Sequence, residues 1–329
     1  MDTKPYRPEL TKSPLIQEIP LACADESAAV AFMERQRWGS SPCCPRCGDM
    51  NVYQMQDSSG ARSARYLWRC RGCNRQYTVR TGTVYEDSKL PMRHWCYAFW
   101  RCATSKKGVS ALEIARQCQI THVSALFLLN RIRFAFQPDH GSDPLVGTVE
   151  VDETYVGGEA KNMHASQKTK FGLGNGSSSQ GKKDHKIAVM AVLERGGRVR
   201  TRVVADVTAE NAKKIINDLV HTSTQVHTDE SSIYRWIGEP RHSSVNHSEK
   251  EYVRGSITTN GIEGFFSIVK RGLKGIYHSV SRKHLHRYLA EFEFRFNSRG
   301  MCDGERLVTA IRQADGKRLM YRGPQGVTA

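Results

Sequence analysis

Thr148-Val149-Glu150-Val151-Asp152-Glu153-Thr154-Tyr155 alternates apolar residues with acids, the period-two pattern of a half-buried strand, and it carries Asp152. Far downstream, Thr259-Asn260-Gly261-Ile262-Glu263-Gly264-Phe265-Phe266-Ser267-Ile268-Val269-Lys270 repeats its apolar residues at helical spacing and carries Glu263. Between them, Val226-His227-Thr228-Asp229-Glu230 is a short apolar run ending in an acid. Acids delivered by two strands and a helix, in a strongly basic chain, point to metal-dependent chemistry on nucleic acid.

Around the first strand the pattern is α/β. Lys186 to Leu193 and Arg198 to Val207 read as a hairpin turned by Arg195-Gly196-Gly197. Thr208 caps a helix running to Val220, Gln225 to Thr228 is a buried strand, Ser231 to Ile237 a short helix, and Val245 to Ser248 a further strand. Three strands, helix, strand, helix, strand, helix is the order of a ribonuclease-H-like domain, a mixed sheet flanked by helices. Its first and fourth strands are neighbours, so Asp152 and Asp229 are expected to face each other. In the Glu263 helix, Ile262, Phe265, Phe266, Val269 and Leu273 share one face at ~100° per residue, and Glu263, Ser267, Lys270 and Lys274 share the other, with Asn260 at the edge. Residues 161–186, rich in Gly, Ser and Lys, read as a basic loop, within an insertion spanning 157–186, that follows a phosphate backbone through Lys182 and Lys183.

Composition narrows the partner. Among 329 residues, 49 Lys and Arg stand against 33 Asp and Glu, a formal charge of +16. A cationic surface of this size favours a polyanion, because each phosphate contact releases condensed counterions. No apolar run approaches the ~18 residues of a membrane span, and Met1 to Pro20 has no signal-peptide core, so a cytoplasmic protein without membrane contact is expected. Ten cysteines in a reducing compartment then point to metal binding and buried thiols.

Four of those cysteines form two knuckles, Cys44-Pro45-Arg46-Cys47 and Cys70-Arg71-Gly72-Cys73, whose thiolates suit one tetrahedral zinc. Cys43 could replace Cys44 in register, and the ordinary knuckle order favours Cys44. The expected organisation is a helical segment over 1–39, with a helix from Asp25 to Trp38, and a zinc ribbon over 40–90. A helical module of helix-turn-helix type follows over 91–140, then the catalytic domain over 147–300 and a tail over 301–329. Within the helical module, Ser110 and Glu113 make a capping box, Leu112, Ile114 and Ala115 form a buried face, and Arg131 and Arg133 on the second helix are candidates for DNA contact. The helical linker is the plain alternative. His227, His247 and His278 read as structural histidines.

The ordered set of these knuckles, Val-Asp-Glu-Thr-Tyr-Val-Gly-Gly at 151–158, His-Thr-Asp at 227–229, Thr-Asn-x-x-Glu-x-Phe-Phe-x-x-x-Lys-Arg at 259–271 and Glu-Phe-x-Phe-Arg-x-Asn at 291–297 resembles the ISXO-like insertion-sequence transposases. The resemblance spans about Trp38 to Arg299. It implies DDE-type chemistry: two Mg²⁺ or Mn²⁺ ions, cleavage at the ends of a mobile element and transfer of the 3′-hydroxyls into target DNA. Asp152 matches the first acid and Asp229 the second. Either Glu263 or Asn260 matches the third, with Glu263 favoured by its seven-residue spacing to Lys270. Lys270, with Arg271 and Lys274, would hold DNA phosphate. The implied partners are duplex DNA, as terminal inverted repeats and target, and a second copy of the chain or more. Two other readings share the acids and the charge: a nuclease or resolvase without strand transfer, and a zinc-ribbon DNA-binding protein with an inactive second domain.

Overall fold

The computed structural model describes residues 13–138, 143–158, 163–170, 186–246, 249, 251 and 253–319. They fall into two compact units, one running to Gln137 and resuming at Ser298, the other spanning Pro138–Asn297.

The first unit opens with α1 (Leu15–Ala24) and α2 (Glu26–Trp38). The Asp25 carboxylate accepts from Ala28 N at 2.8 Å and so caps α2. Three short antiparallel strands follow, β1 (Val52–Gln54), β2 (Trp68–Cys70) and β3 (Gln76–Tyr77). Next come α3 (Met92–Thr104), α4 (Ala111–Cys118) and α5 (His122–Ala135). Ser110 caps α4, Gln119 takes a left-handed conformation to end it, and Thr121 caps α5, so a tight turn joins two short helices. The expected buried face of α4 is corrected at one position: Ile114 is fully buried, whereas Leu112 is 64% exposed.

The second unit begins with β4 (Thr148–Val156). A short helix, α6 (Ala165–Lys170), lies inside the segment expected to be loop throughout; Lys182 and Lys183 lie outside the described residues. Then come β5 (Ile187–Glu194), β6 (Val199–Val204), α7 (Ala209–Leu219), β7 (Gln225–Thr228), a 3-10 turn (Ser232–Ile237) and β8 (His242–Ser244). This last strand precedes the expected Val245 to Ser248, of which His247 and Ser248 are outside the described residues. A two-stranded ribbon, β9 (Val253–Arg254) and β10 (Ile257–Thr258), leads into α8 (Asn260–Gly272), a π-helical turn (Leu273–Tyr277) and α9 (Arg282–Asn297). Among the described residues the main sheet has the order β6-β5-β4-β7-β8, antiparallel across β6, β5 and β4 and parallel from β4 through β7 to β8. This is the mixed sheet expected of a ribonuclease-H-like domain, with its first and fourth strands side by side.

Strand parity divides the core. Ile187, Val189, Ala191 and Leu193 of β5 pack with Ile262, Phe265, Phe266 and Val269 of α8 and with Leu285, Leu289 and Phe292 of α9. Met190 and Val192 point the other way, with Val149 and Val151, against Ile215, Ile216 and Leu219 of α7 and against Tyr234. Because successive strand residues face opposite sides, Glu150, Asp152 and Thr154 take the α8 side.

The outer edge of β6 is closed by side chains. The Asn297 Oδ1 accepts from Val199 N at 2.7 Å, and its Nδ2 donates to Val199 O at 3.1 Å. The Glu293 Oε1 accepts from Thr201 N at 2.7 Å and from the Thr201 hydroxyl. Four residues of helix rise ~6 Å and two residues of strand ~6.6 Å, so the i, i+4 pair matches the i, i+2 pair. Glu291 and Arg295 form a buried ion pair on the same helix, to which Tyr277 Oη adds a 2.7 Å bond. The motif at 291–297 is thereby a clamp of α9 on the sheet.

The segment after Arg299, expected to be a tail, contains α10 (Asp303–Arg312). Its Leu307, Ala310 and Ile311 are buried in the first unit, where it packs against α2 and α3.

Candidate active site and zinc ribbon

The residues that pair β4 with β7 bring two acids together. Glu150 lies opposite His227, an offset of 227 − 150 = 77, and 229 − 152 = 77 is the same offset two residues on. Asp152 and Asp229 thus occupy matching positions where the parallel strands run out. Both are half-buried, as is Glu263 in the first turn of α8.

Burial pushes the Asp152 carboxyl up to about 7, and the nearby Glu153, Asp229 and Glu263 carboxylates add to the rise, although the Glu153 N–H donates to its Oδ1 at 2.7 Å. Asp152, with the Asp229 and Glu263 carboxylates acting on it from separate elements, makes a site of concentrated negative charge, which a divalent cation would relieve. Hard carboxylate oxygens are the ligands that Mg²⁺ and Mn²⁺ prefer. Glu153 does not share the site's face: its Oε2 accepts from Tyr234 Oη at 2.7 Å on the α7 side of the sheet.

Glu263 is held at its own helix start, where the Thr259 hydroxyl donates to its Oε1 at 2.9 Å. Asn260, one residue into α8, is exposed, as are Lys270, Arg271 and Lys274. Lys270 and Lys274 follow Glu263 along the helix face opposite the core, as their spacing predicts, while Arg271 Nε donates to Ser267 O at 3.2 Å.

Sequence reasoning missed the residues that fix α8. Glu150, 3% exposed, accepts from the backbone N–H of Ile262 at 2.9 Å and from Arg195, whose Nη2 lies 3.3 Å away. Arg195 also donates to Ser256 O at 2.7 Å and Thr258 O at 3.3 Å, and its Nη2 lies 3.2 Å from His227 Nδ1. Burial, followed by this guanidinium, lowers the His227 pKa and favours its neutral form.

In the first unit, the ligand atoms of Cys44, Cys47, Cys70 and Cys73 all lie within 4.8 Å of one another. The Sγ atoms of Cys44 and Cys73 are 3.7 Å apart and those of Cys47 and Cys70 3.6 Å. A zinc tetrahedron with ~2.3 Å bonds has edges of ~3.8 Å, so the four thiols fit structural zinc as they stand. Cys43 stays outside this group, in keeping with the preference for Cys44. Trp68 and Tyr77 pack behind the cluster, with Trp38 against them.

Arg131 and Arg133, read from sequence as DNA contacts, turn inward. Arg131 donates to Val84 O at 2.8 Å and Glu86 O at 2.6 Å and lies over the Phe127 ring, and Arg133 is 1% exposed. Their helix presents Val123 (75% exposed) and Phe127 (40%) instead. On the ribbon, strand pairing aligns Tyr53, Arg69 and Gln76 on the face opposite Trp68 and Tyr77, and the Arg71 guanidinium stacks 4.9 Å over Tyr53.

Comparison with known proteins agrees with this geometry. The ISXO2-like transposase domain family matches residues 144–297, the span of the mixed sheet and both helices on the acid side. The transposase zinc-ribbon family matches residues 24–76. The chain is built from an ISXO2-like transposase domain and a transposase zinc ribbon. Among relatives of the transposase, an uncharacterized protein in transposable element ISH50 of Halobacterium salinarum is 29% identical over 281 residues, covering 82% of this chain and 90% of that protein. An uncharacterized transposase-like protein of Haemophilus influenzae is 31% identical over 103 residues, 31% of this chain and 82% of that protein. No helix among the described residues of the transposase is long and apolar enough to cross a membrane.

Proposed function

We propose that this transposase binds the terminal inverted repeats of an insertion sequence, hydrolyses the phosphodiester at each end and joins the freed 3′-hydroxyls to target DNA. The observation that carries the reading is the acid cluster: Asp152, raised to about 7, with Asp229 and Glu263 as charged neighbours in a chain of formal charge +16. Asp152, Asp229 and Glu263 would hold two Mg²⁺ or Mn²⁺ ions. Bound there, the ions would lower the pKa of an attacking water or 3′-hydroxyl and stabilise the leaving oxygen. Glu263 is the third acid in this proposal, because its carboxylate bears on Asp152 whereas Asn260 stands exposed at the helix start.

The protein's other groups position DNA. Lys270 and Arg271 in the last turn of α8, with Lys274 in the π-helical turn after it, lie two to three turns beyond Glu263 and would neutralise phosphates of DNA running from the acid site. Tyr53, Arg69 and Arg71 on the ribbon would contact the repeat, replacing Arg131 and Arg133 in that role. Two ends must be held together for joining, so the working form is a dimer or larger assembly on DNA, in the cytoplasm.

The test is a labelled duplex carrying the element's terminal repeat, incubated with Mg²⁺ or Mn²⁺ and the wild type or Asp152→Asn. Nicking at the repeat boundary followed by joined products, both lost in the variant while DNA binding is kept, is the expected result. Binding with no cleavage by the wild type in either metal would refute the catalytic assignment.

A further inference from the structure

Helix α8 lacks an ordinary cap. Its N-cap residue, Thr259, makes no side-chain bond to the first-turn N–H groups; its hydroxyl donates to the Glu263 carboxylate instead. An uncapped first turn leaves backbone donors to be satisfied elsewhere. One is satisfied from a different element: the Ile262 N–H donates to Glu150 Oε2 on β4, at 2.9 Å. A carboxylate at a helix start is favoured by the aligned peptide dipoles as well as by the hydrogen bond.

Glu150 is not free to move under the helix. Arg195 Nη2 and Nε reach its Oε1 at 3.3 and 3.4 Å, and the same guanidinium bonds the carbonyls of Ser256 and Thr258 just ahead of α8. The helix start therefore sits on a carboxylate and guanidinium that are themselves tied to β4 and to the entering chain. Such closeness requires glycine at 261. A Cβ there would lie 2.7 Å from Glu150 Oε2 and 2.9 Å from Leu193 Cδ2. Both atoms are the ends of buried side chains in fixed company, so neither can yield without moving the helix. Gly264, one helical turn further, has nothing within 4 Å of its Cβ position.

We infer that Glu150, Arg195 and Gly261 form a positioning assembly that seats the first turn of α8 on β4 and thereby sets Glu263 against Asp152 and Asp229. The inference rests on the reading of those three acids as metal ligands. The positioning groups act by fixing the distance between an acid on a helix and an acid on a strand two residues from Glu150.

Gly261→Ala and Gly264→Ala make the same chemical change on one helix and separate the two possibilities. Alanine favours an isolated helix over glycine, so any loss at 261 runs against local propensity. The measurements are Mn²⁺ binding by electron paramagnetic resonance, hydrogen exchange at the Ile262 and Glu263 amides, and the nicking rate on a terminal-repeat duplex. All use the full zinc-loaded chain, at temperatures where circular dichroism shows it folded.

Gly261→Ala is expected to weaken Mn²⁺ binding about tenfold, speed exchange at both amides and slow nicking by about 10²-fold, the scale of an ångström misplacement. Its affinity for DNA should not change. Gly264→Ala should stay within about twofold of wild type in every readout, since nothing there must move. Glu150→Gln keeps an acceptor for Ile262 but loses the charge that holds Arg195, and should fall between wild type and Glu150→Ala. Mn²⁺ binding in Gly261→Ala equal to that in Gly264→Ala overturns the positioning role while the metal reading stands. A wild type whose Mn²⁺ binding is indifferent to Asp152→Asn overturns the metal reading, and the positioning role with it.

Discussion

Asp152→Asn is expected to make the metal-free protein more stable while abolishing its chemistry. The Asp152 carboxyl moves from an ordinary 3.8 to about 7 on folding, because burial and three neighbouring carboxylates penalise its charge. The folded state then binds the proton more tightly than the unfolded state, so stability falls as pH rises from about 4 through 7. At 1.36 kcal/mol for each tenfold change, a rise of this size corresponds to at most about 4 kcal/mol at pH 8. Asparagine keeps an oxygen to accept from the Glu153 N–H and carries no charge, so it removes this penalty. A divalent cation removes it too, and must displace the proton to do so. Apparent Mn²⁺ affinity of the wild type should therefore drop about fivefold between pH 7 and pH 6, and that dependence should vanish in the variant. Thermal melts of the chelated and Mn²⁺-loaded protein at pH 6, 7 and 8, paired with Mn²⁺ titrations, measure both effects. A variant less stable than wild type at pH 8 without metal, or a wild-type Mn²⁺ affinity that is flat across this range, would refute the reasoning.

Further outcomes are expected at the ribbon and at the edge of the sheet. Cys70→Ser should remove zinc and unfold the ribbon, cutting repeat binding while the sheet domain keeps its Mn²⁺ response; metal analysis finding about one zinc per wild-type chain supplies the reference. Cys43→Ser, outside the thiol cluster, should leave that zinc in place. Arg69→Ala should lower the slope of log binding constant against log salt by about one, and one unchanged in slope would remove Arg69 from the DNA face. Glu293→Ala strips the acceptor from a buried Thr201 N–H and hydroxyl and should cost about 1–3 kcal/mol, read from denaturant unfolding. Burial raises the Glu293 carboxyl to about 7, so the wild type should also lose stability between about pH 4.5 and 7, a dependence Glu293→Gln should flatten.

The sequence alone determined which residues face the core and which face the site. Alternation along 148–155 put Asp152 on a strand face, and 3.6-residue spacing put Ile262, Phe265, Phe266 and Val269 inward with Glu263 and Lys270 outward; each is a property of neighbours along one element. The paired knuckles marked the thiol cluster for the same reason. What failed lay between elements. α10 was read as tail because its apolar face has meaning only against α2 and α3. Arg131 looked exposed until the carbonyls of Val84 and Glu86, some 45 residues earlier, were placed beside it. Glu150 looked like one more strand acid, yet its role is fixed by Ile262, 112 residues away in sequence. Periodicity records which side of an element is buried, but only tertiary packing decides which distant donor or acceptor a buried charge will meet.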